Sequence, residues 1–415
     1  MLETQSAALD FSQASKVEQT ARNWIFRYLE QIAIGRLTVI ETFGGIDDRV
    51  RVFGQQSLEQ SLDAKVEIHH PSLYARFLRG GSVAASEAYM DGWWDSPDLT
   101  AVMNLMAQNL NALDQIEQRA SWFSKLALKL GHWLKRNTLD NSKKNIHAHY
   151  DLGNSLYETF LDENMLYSSA LFASEQDTLE AAQIQKMDRL CKQLDLQPTD
   201  HVIEIGTGWG AMAIYMAQQY GCRVTTTTIS DEQFAYAQSK INALGLNEKV
   251  TLLKKDYRLL EGQFDKLVSI EMIEAVGKAY LDSFIIKCRQ LLKPQGLMAL
   301  QAITIVDSRY EEYSRNVDFI QKYIFPGGFL PSVSALTFAT AKQTDLVVRN
   351  LHDMGLDYAK TLHHWHQRFT LQENKVRELG YDERFIRMWR YYFCYCEGGF
   401  LARSISTVQM TFQAR

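Results

Sequence analysis

An apolar run that ends in a carboxylate and then breaks into alternate glycines constrains this chain more than any other feature. His201 to Gly210 reads HVIEIGTGWG, and AMAIYMAQQYG follows in helical register. Strand, glycine turn and helix in that order build a nucleotide-type site, because glycines let backbone approach a ligand and the helix start offers N–H groups. The spacing also satisfies a loose dinucleotide fingerprint, Gly206-x-Gly208-x-x-Ala211, which alone discriminates little. Glu204 tips the reading. A carboxylate in that crevice suits the cationic methionine portion of S-adenosylmethionine better than a pyrophosphate. A dinucleotide site and an empty structural turn stay as alternatives.

From Leu179 the pattern alternates regularly. HVIEIG, CRVTTTTIS, KVTLLKKD, FDKLVSIEM and GLMALQAITIV read as strands. Helical stretches lie at 179–194, 211–220, 231–244 and 279–292. This predicts an α/β fold, a parallel doubly wound sheet with helices on both faces and ligands at the carboxyl ends of its strands. Residues 307–365 read as an aromatic, helix-prone insertion around FPGGFLPS, and ISTVQMTFQ as a last strand. Ahead of the alternation, IGRLTVIETFGG and AKVEIHH read as strands, and SLYARFLRGG as a helix ending on Gly80 and Gly81. A further helix starts at Asp-Ser-Pro after Trp93 and Trp94. The domains expected are a small α+β module over 1–120, a basic amphipathic helix with linker over 121–145, and the donor-binding domain over 146–415.

Composition narrows the class. A length of 415 residues suits two or three domains, and a net charge of −5 gives no reason to expect nucleic acid. MLETQSAALDFSQAS lacks the basic start and apolar core of a secretory signal. No apolar run approaches the roughly 20 residues that span a bilayer. The five cysteines, Cys191, Cys222, Cys288, Cys394 and Cys396, are scattered as in a reduced cytosolic protein, and the last two have the wrong spacing for zinc. His147 and His149, and the group His363, His364 and His366, lack partners at ligand spacing, so no metal is expected.

Ser121 to Leu139 is a different material. Its formal charges, Lys125, Lys129, Lys135 and Arg136, are all positive, and Trp122, Phe123, Leu126, Leu130, Trp133 and Leu134 mostly oppose them on a helical wheel. Such a stretch suits a membrane-surface anchor, and equally a core-packing helix with a solvated basic side.

Three strand ends carry nucleoside-compatible groups. The second ends at Thr228, Ser230, Asp231 and Gln233, and the third at Asp256-Tyr257, a carboxylate for an adenine amino group beside a ring to stack on it. After the fourth come Glu271 and Glu274, which suit a base, a hydrogen-bond acceptor or a counter-charge, or else a pair of solvated carboxylates at a helix start.

The chain resembles the cyclopropane-fatty-acyl-phospholipid synthases from about residue 60 onward. The resemblance rests on EAYMDGWW at 87–94, HYDLGN at 149–154, MLYSSALF at 165–172 and VIEIGTGWG at 202–210. TISDEQ at 228–233, DYRLL at 256–260, EMIEAVG at 271–277 and FPGGFLP at 325–331 continue it, and LDYAKTL at 356–362 and YYFCYCEGGFLAR at 391–403 complete it. It implies a class I methyltransferase-like sheet with a helical lid and an N-terminal lipid-binding or dimerisation domain. It also implies methylene or methyl transfer from S-adenosylmethionine to cis double bonds of phospholipid acyl chains. Ring closure leads. A methyl-branched alkene, or methylation of a soluble small molecule, is the alternative. Tyr167, Ser168, Gly206, Gly208, Gly210, Thr228, Gln233, Asp256 and Tyr257 would hold the donor, with Glu204, Trp209 and Ser230 beside them. A bicarbonate acting as base would be held at Ser169, Glu274, Gln301, Ile303 and Tyr358, and Cys396 matches a cysteine often marked as active. Ser169 stands where the family usually has cysteine, Gln301 and Ala275 where it has histidine. A cytoplasmic protein peripheral to the inner membrane face, dimeric through its N-terminal part, completes the expectation.

Overall fold

The computed structural model describes residues 15–43, 49–56, 62–110 and 153–415. The basic stretch at 121–145 and His147 and His149 lie outside the described residues. The chain divides into two compact units. One draws on Met1–Gly131, Asn316–Phe319 and Gly380–Ser404, the other on His132–Arg315, Ile320–Leu379 and Ile405–Arg415.

The first unit is α+β. Strands β1 (Arg36–Glu41), β2 (Arg49–Gly54), β3 (Asp63–Ile68) and β4 (Trp94–Asp95) form a sheet in the order β2-β1-β3-β4. The double glycine breaks the helical stretch Ser72–Met90 in two. Gly81, with φ 63° and ψ −153°, leaves the helical region, which a glycine does without the Cβ penalty, and a second helix follows it to Met90. The long helix Glu383–Leu401 belongs to this unit although the sequence places it between elements of the other. Arg387 anchors it, donating to the Tyr89 and Trp94 carbonyls and to Asp95. Gly398 lets it approach the helix Leu99–Gln108, since a Cβ there would lie 2.5 Å from that of Met103.

The second unit is a seven-stranded sheet in the order β10-β11-β9-β8-β5-β6-β7. Its strands are β5 (His201–Ile205), β6 (Arg223–Thr228), β7 (Val250–Lys254), β8 (Phe264–Ile270), β9 (Leu292–Ile305), β10 (Val347–Asp353) and β11 (Ile405–Gln413). β5 to β9 pair in parallel, as the alternation predicts, whereas β11 runs antiparallel to β9 and β10. The segment 307–365 is therefore not wholly helical, since it supplies the edge strand β10.

Strand alternation divides the core in two. Ile203 and Ile205, Leu267, Met298 and Leu300, with Met410 and Phe412, face the helices Leu281–Leu291 and Val333–Gln343. Val202, Val224, Val268 and Ala299 face the helix Leu179–Gln193 and the helix starting at Ala211, which continues as a π-helical turn through Tyr220. On this second face the next inward positions, toward the carboxyl ends, are polar and buried: Glu204, Thr226, Gln301 and Gln409. Burying a large side chain on either face contributes roughly 1.5–3 kcal/mol, whereas a buried polar group costs free energy unless hydrogen-bonded.

Candidate active site

Glu204 ends β5 fully buried. Its carboxylate accepts from the Thr226 hydroxyl, which also meets that of Thr207. Burial pushes its carboxyl up to about 8, against the Thr226 hydrogen bond. The loop that follows turns back on β6, with the Gly206 and Thr207 N–H groups donating to the Thr227 carbonyl at 3.2 and 3.0 Å. Gly206 and Gly208 have φ of 101° and 54°, and a Cβ on Gly208 would meet no atom within 4 Å. Open space therefore borders a loop built on an acid with no cationic side chain among its hydrogen-bond or charge partners. That fits a cationic donor better than a polyanion. Gly210 precedes the helix, and Trp209 donates its indole N–H to Asn154 at 2.8 Å.

The neighbouring strand ends are self-organised. Thr228 donates to the Gln233 side chain at 2.9 Å, and Ser230 caps the helix Asp231–Ala243 by accepting from the Gln233 N–H. Asp256 is buried and held by Arg258 through Nε at 2.9 Å and Nη2 at 2.7 Å. The Tyr257 ring stands edge-on to Phe284, and burial pushes its hydroxyl well above the usual range.

Glu271 and Glu274 follow β8 and are not solvated. Glu271 Oε1 accepts from the Ser169 N–H at 2.9 Å and from Gln301 Nε2 at 2.8 Å, and its Oε2 accepts from the Tyr358 hydroxyl at 2.8 Å. Glu274 Oε1 accepts from the Ile303 N–H, while its Oε2 is buried with no hydrogen-bond partner. Burial, then the charge of Glu271, pushes the Glu274 carboxyl up to about 8. Burial also raises Glu271, opposed by Gln301, Ser169, Lys186 and Tyr358. Two buried carboxylates whose charges repel do not both ionise readily, so their protonation splits.

Lys186 is the group that sequence reasoning missed. It lies fully buried on the helix Leu179–Gln193 and donates to the Ser168 hydroxyl at 2.6 Å. Burial lowers its ammonium to about 8, and Glu271 and Asp162 oppose the shift. A lysine four residues after Ala182 and four before Leu190, on the apolar stripe, was the available signal. Gln183 from the same helix donates to the Ser168 carbonyl, and Gln409 fixes Gln301 by donating to its Oε1.

Aromatic rings wall the carboxylates. Tyr167 lies 5.3 Å from Trp365 and 6.1 Å from Phe325, and Trp365 lies edge-on to Tyr358 at 6.0 Å. Cys396 lies in the first unit, on Glu383–Leu401, where burial pushes its thiol up and away from reactivity. His363, His364 and His366 lie on the helix Gly355–Leu371, with His364 stacked on Phe172. Among the described residues no cluster of three His, Cys, Asp or Glu is placed to hold a metal ion.

Comparison with known proteins matches this geometry to one family. The family described as mycolic acid cyclopropane synthetase matches residues 137–410. A tuberculostearic acid methyltransferase of Mycobacterium tuberculosis is 37% identical over 352 residues, 83% of this chain and 82% of that protein. The cyclopropane-fatty-acyl-phospholipid synthase of Escherichia coli K12 is 36% identical over 364 residues, 86% of this chain and 89% of that enzyme. Among solved structures, a mycolic acid cyclopropane synthase complexed with SAH and CTAB is similar with a TM-score of 0.62. It is 28% identical and covers 65% of this chain and 98% of its own.

Proposed function

Because the chain belongs to the mycolic acid cyclopropane synthetase family, we propose that it methylates the cis double bond of unsaturated acyl chains in membrane phospholipids and closes a cyclopropane ring. The protein is an S-adenosylmethionine-dependent methyltransferase acting on lipid acyl chains. The observation that carries the finer reading is Tyr358, which donates to the Glu271 carboxylate of the pair while its ring abuts the aromatic wall at Trp365. An alkene is a weak nucleophile, so such a site has to align the reactants, exclude water and tolerate a carbon cation.

S-adenosylmethionine, when bound, supplies an electrophilic methyl group. In this reading Glu204 faces its cationic portion, the Gly206–Gly210 loop yields room for it, and Gln233, Asp256 and Tyr257 hold its nucleoside. Asp256 keeps accepting capacity on Oδ2 beyond its three Arg258 contacts, because an ionised carboxylate offers about four lone-pair sites. Tyr167, Trp365 and Tyr358 form a packed aromatic cluster beside the acids, and in this reading cation–π attraction to these rings favours the charged state. The paired acids supply negative charge and a site for a proton. Access from the cytosolic side of a membrane rests on the basic amphipathic stretch around Lys125, Lys129 and Lys135, and among the described residues no helix is long and apolar enough to cross a bilayer.

Lipid mass spectrometry of cells expressing the protein tests the proposal. Monounsaturated chains gain one CH₂, and NMR of the product shows a ring. Glu274→Gln and Tyr358→Phe lower the yield. No mass gain overturns the reading, and a methyl-branched alkene in place of the ring corrects its last step.

A further inference from the structure

We infer that the Glu271 carboxylate is the built-in base of this enzyme, occupying the position that the family resemblance gives to an exogenous bicarbonate. The inference deepens the function proposed above and rests on it. The five residues expected to hold bicarbonate were Ser169, Glu274, Gln301, Ile303 and Tyr358. Every donor they offer is engaged. The Ser169 N–H, one amide hydrogen of Gln301 and the Tyr358 hydroxyl all go to Glu271. The second Gln301 hydrogen goes to the Ser169 carbonyl, and the Ile303 N–H to Glu274. Gln301 cannot turn its amide over to free a donor, because Gln409 donates to its Oε1. Bicarbonate therefore finds no free donor among these residues, and a second anion beside Glu271 would be repelled.

The backbone supports the same reading. Glu271 sits at φ +48°, a left-handed conformation that side-chain-bearing residues seldom adopt, and its N–H is fixed by the Gln301 carbonyl at 2.8 Å. Strain of this kind persists only where the surroundings over-determine it. Three of the roughly four lone-pair sites of the carboxylate are filled, two on Oε1 and one on Oε2. The remaining pair on Oε2 accepts the proton. The three donors that converge on Glu271 favour its ionised form against the upward pull of burial. Lys186, buried and donating to Ser168, adds a positioning counter-charge. Burial and the charge of Glu271 leave the proton of the pair on Glu274.

The step balances without a further reactant. After methyl transfer the acyl chain carries a cation beside the methylated carbon. Glu271 Oε2 takes a proton from the new methyl, and the C–H electron pair becomes the third ring bond and quenches the cation. Taken from the neighbouring chain carbon instead, the proton leaves its electron pair as a new double bond. The Glu271 proton passes to water when product leaves.

The test uses the full chain with vesicles of a monounsaturated phospholipid. Wild-type turnover is expected to be the same within twofold in carbonate-depleted buffer and in added bicarbonate. Glu271→Gly suits the positive φ and opens an anion-sized space. It should lose about 100-fold or more in turnover, the usual share of a general base, and recover at least about tenfold with bicarbonate. S-adenosylmethionine affinity by calorimetry, unchanged within threefold in the variant, certifies its fold. A second readout is independent of lipid turnover: bicarbonate should raise the melting temperature of Glu271→Gly and leave wild type unmoved. Bicarbonate-dependent wild-type turnover, a variant as active as wild type, or equal thermal responses of the two proteins would each overturn the inference. A wild type that makes no lipid product strikes the proposed function, while the thermal comparison still decides who occupies the site.

Discussion

The two faces of the seven-stranded sheet are made from the same strands and do opposite work. One face is mostly apolar, from Ile203 and Leu267 through Met298 and Leu300 to Met410 and Phe412, with Ser269 and Thr304 as buried polar positions near the strand ends, and helices cover it. The other begins in the same way with Val202, Val224, Val268 and Ala299. It then turns polar at the strand ends, where Glu204, Gln301, Gln409 and the buried Lys186 replace the next hydrophobic layer. Both faces are equally dry, so the polar one requires a hydrogen bond for nearly every group it buries. The exceptions are informative: Glu274 Oε2, Gln409 Oε1 and Gln183 Oε1 are among the buried atoms without hydrogen-bond partners. Stability comes from the face where every level of the sequence agrees, and chemistry from the face where the pattern is broken.

Substitutions on the two faces should therefore fail differently. Phe412→Ala, on the apolar face and paired with the end of β9 remote from Gln301, should cost about 3–5 kcal/mol of unfolding free energy in urea titration. The folded fraction should keep its turnover per molecule. Glu274→Gln should do the reverse. Its amide oxygen can still accept the Ile303 N–H, so stability stays within about 1 kcal/mol of wild type. Turnover should fall about 100-fold, because an amide in place of the protonated acid cannot pass a proton within the pair. If Glu274→Gln unfolds the protein, or Phe412→Ala abolishes turnover in folded molecules, the division of labour between faces is wrong.

The sequence revealed the apolar face better than the polar one. HVIEIG, FDKLVSIEM and GLMALQAITIV alternate in hydrophobicity and punctuation strongly enough to yield β5, β8 and β9 and their parallel direction. The strand β10 escaped notice because its residues are mostly exposed at a sheet edge, where no burial pattern is imposed on VVRNLHD. The helix Glu383–Leu401 joined the first unit through contacts with residues nearly 300 positions away, such as Arg387 with Asp95, which no local pattern encodes. At the site, the glycine loop and the acids after β8 were legible as types. Their roles were not. Whether Glu271 is solvated or bound by Ser169, Gln301 and Tyr358 depends on three segments far apart in the chain. Tertiary hydrogen bonding, rather than spacing, decides which of two neighbouring acids carries the charge.

The smallest effect expected separates Glu204 from the acids after β8. Burial holds the Glu204 carboxyl at about 8, so at pH 6 it is largely protonated in the ligand-free protein. A bound sulfonium and ammonium favour its ionised form, which makes donor binding release a proton below that value. The sign follows: affinity for S-adenosylmethionine rises with pH through the range below 8, by at most tenfold per unit, and levels off above it. Glu204→Gln removes the titrating group and keeps an oxygen to accept from Thr226. Calorimetry between pH 6 and 9 should show a flat profile in that variant, with affinity about tenfold weaker than wild type at the alkaline end, the size of a partly screened charge contact. The same variant should leave the thermal response of Glu271→Gly to bicarbonate unchanged, since that response belongs to a different acid on the same face. A wild-type profile that is flat, or that falls as pH rises, would remove Glu204 from the donor site.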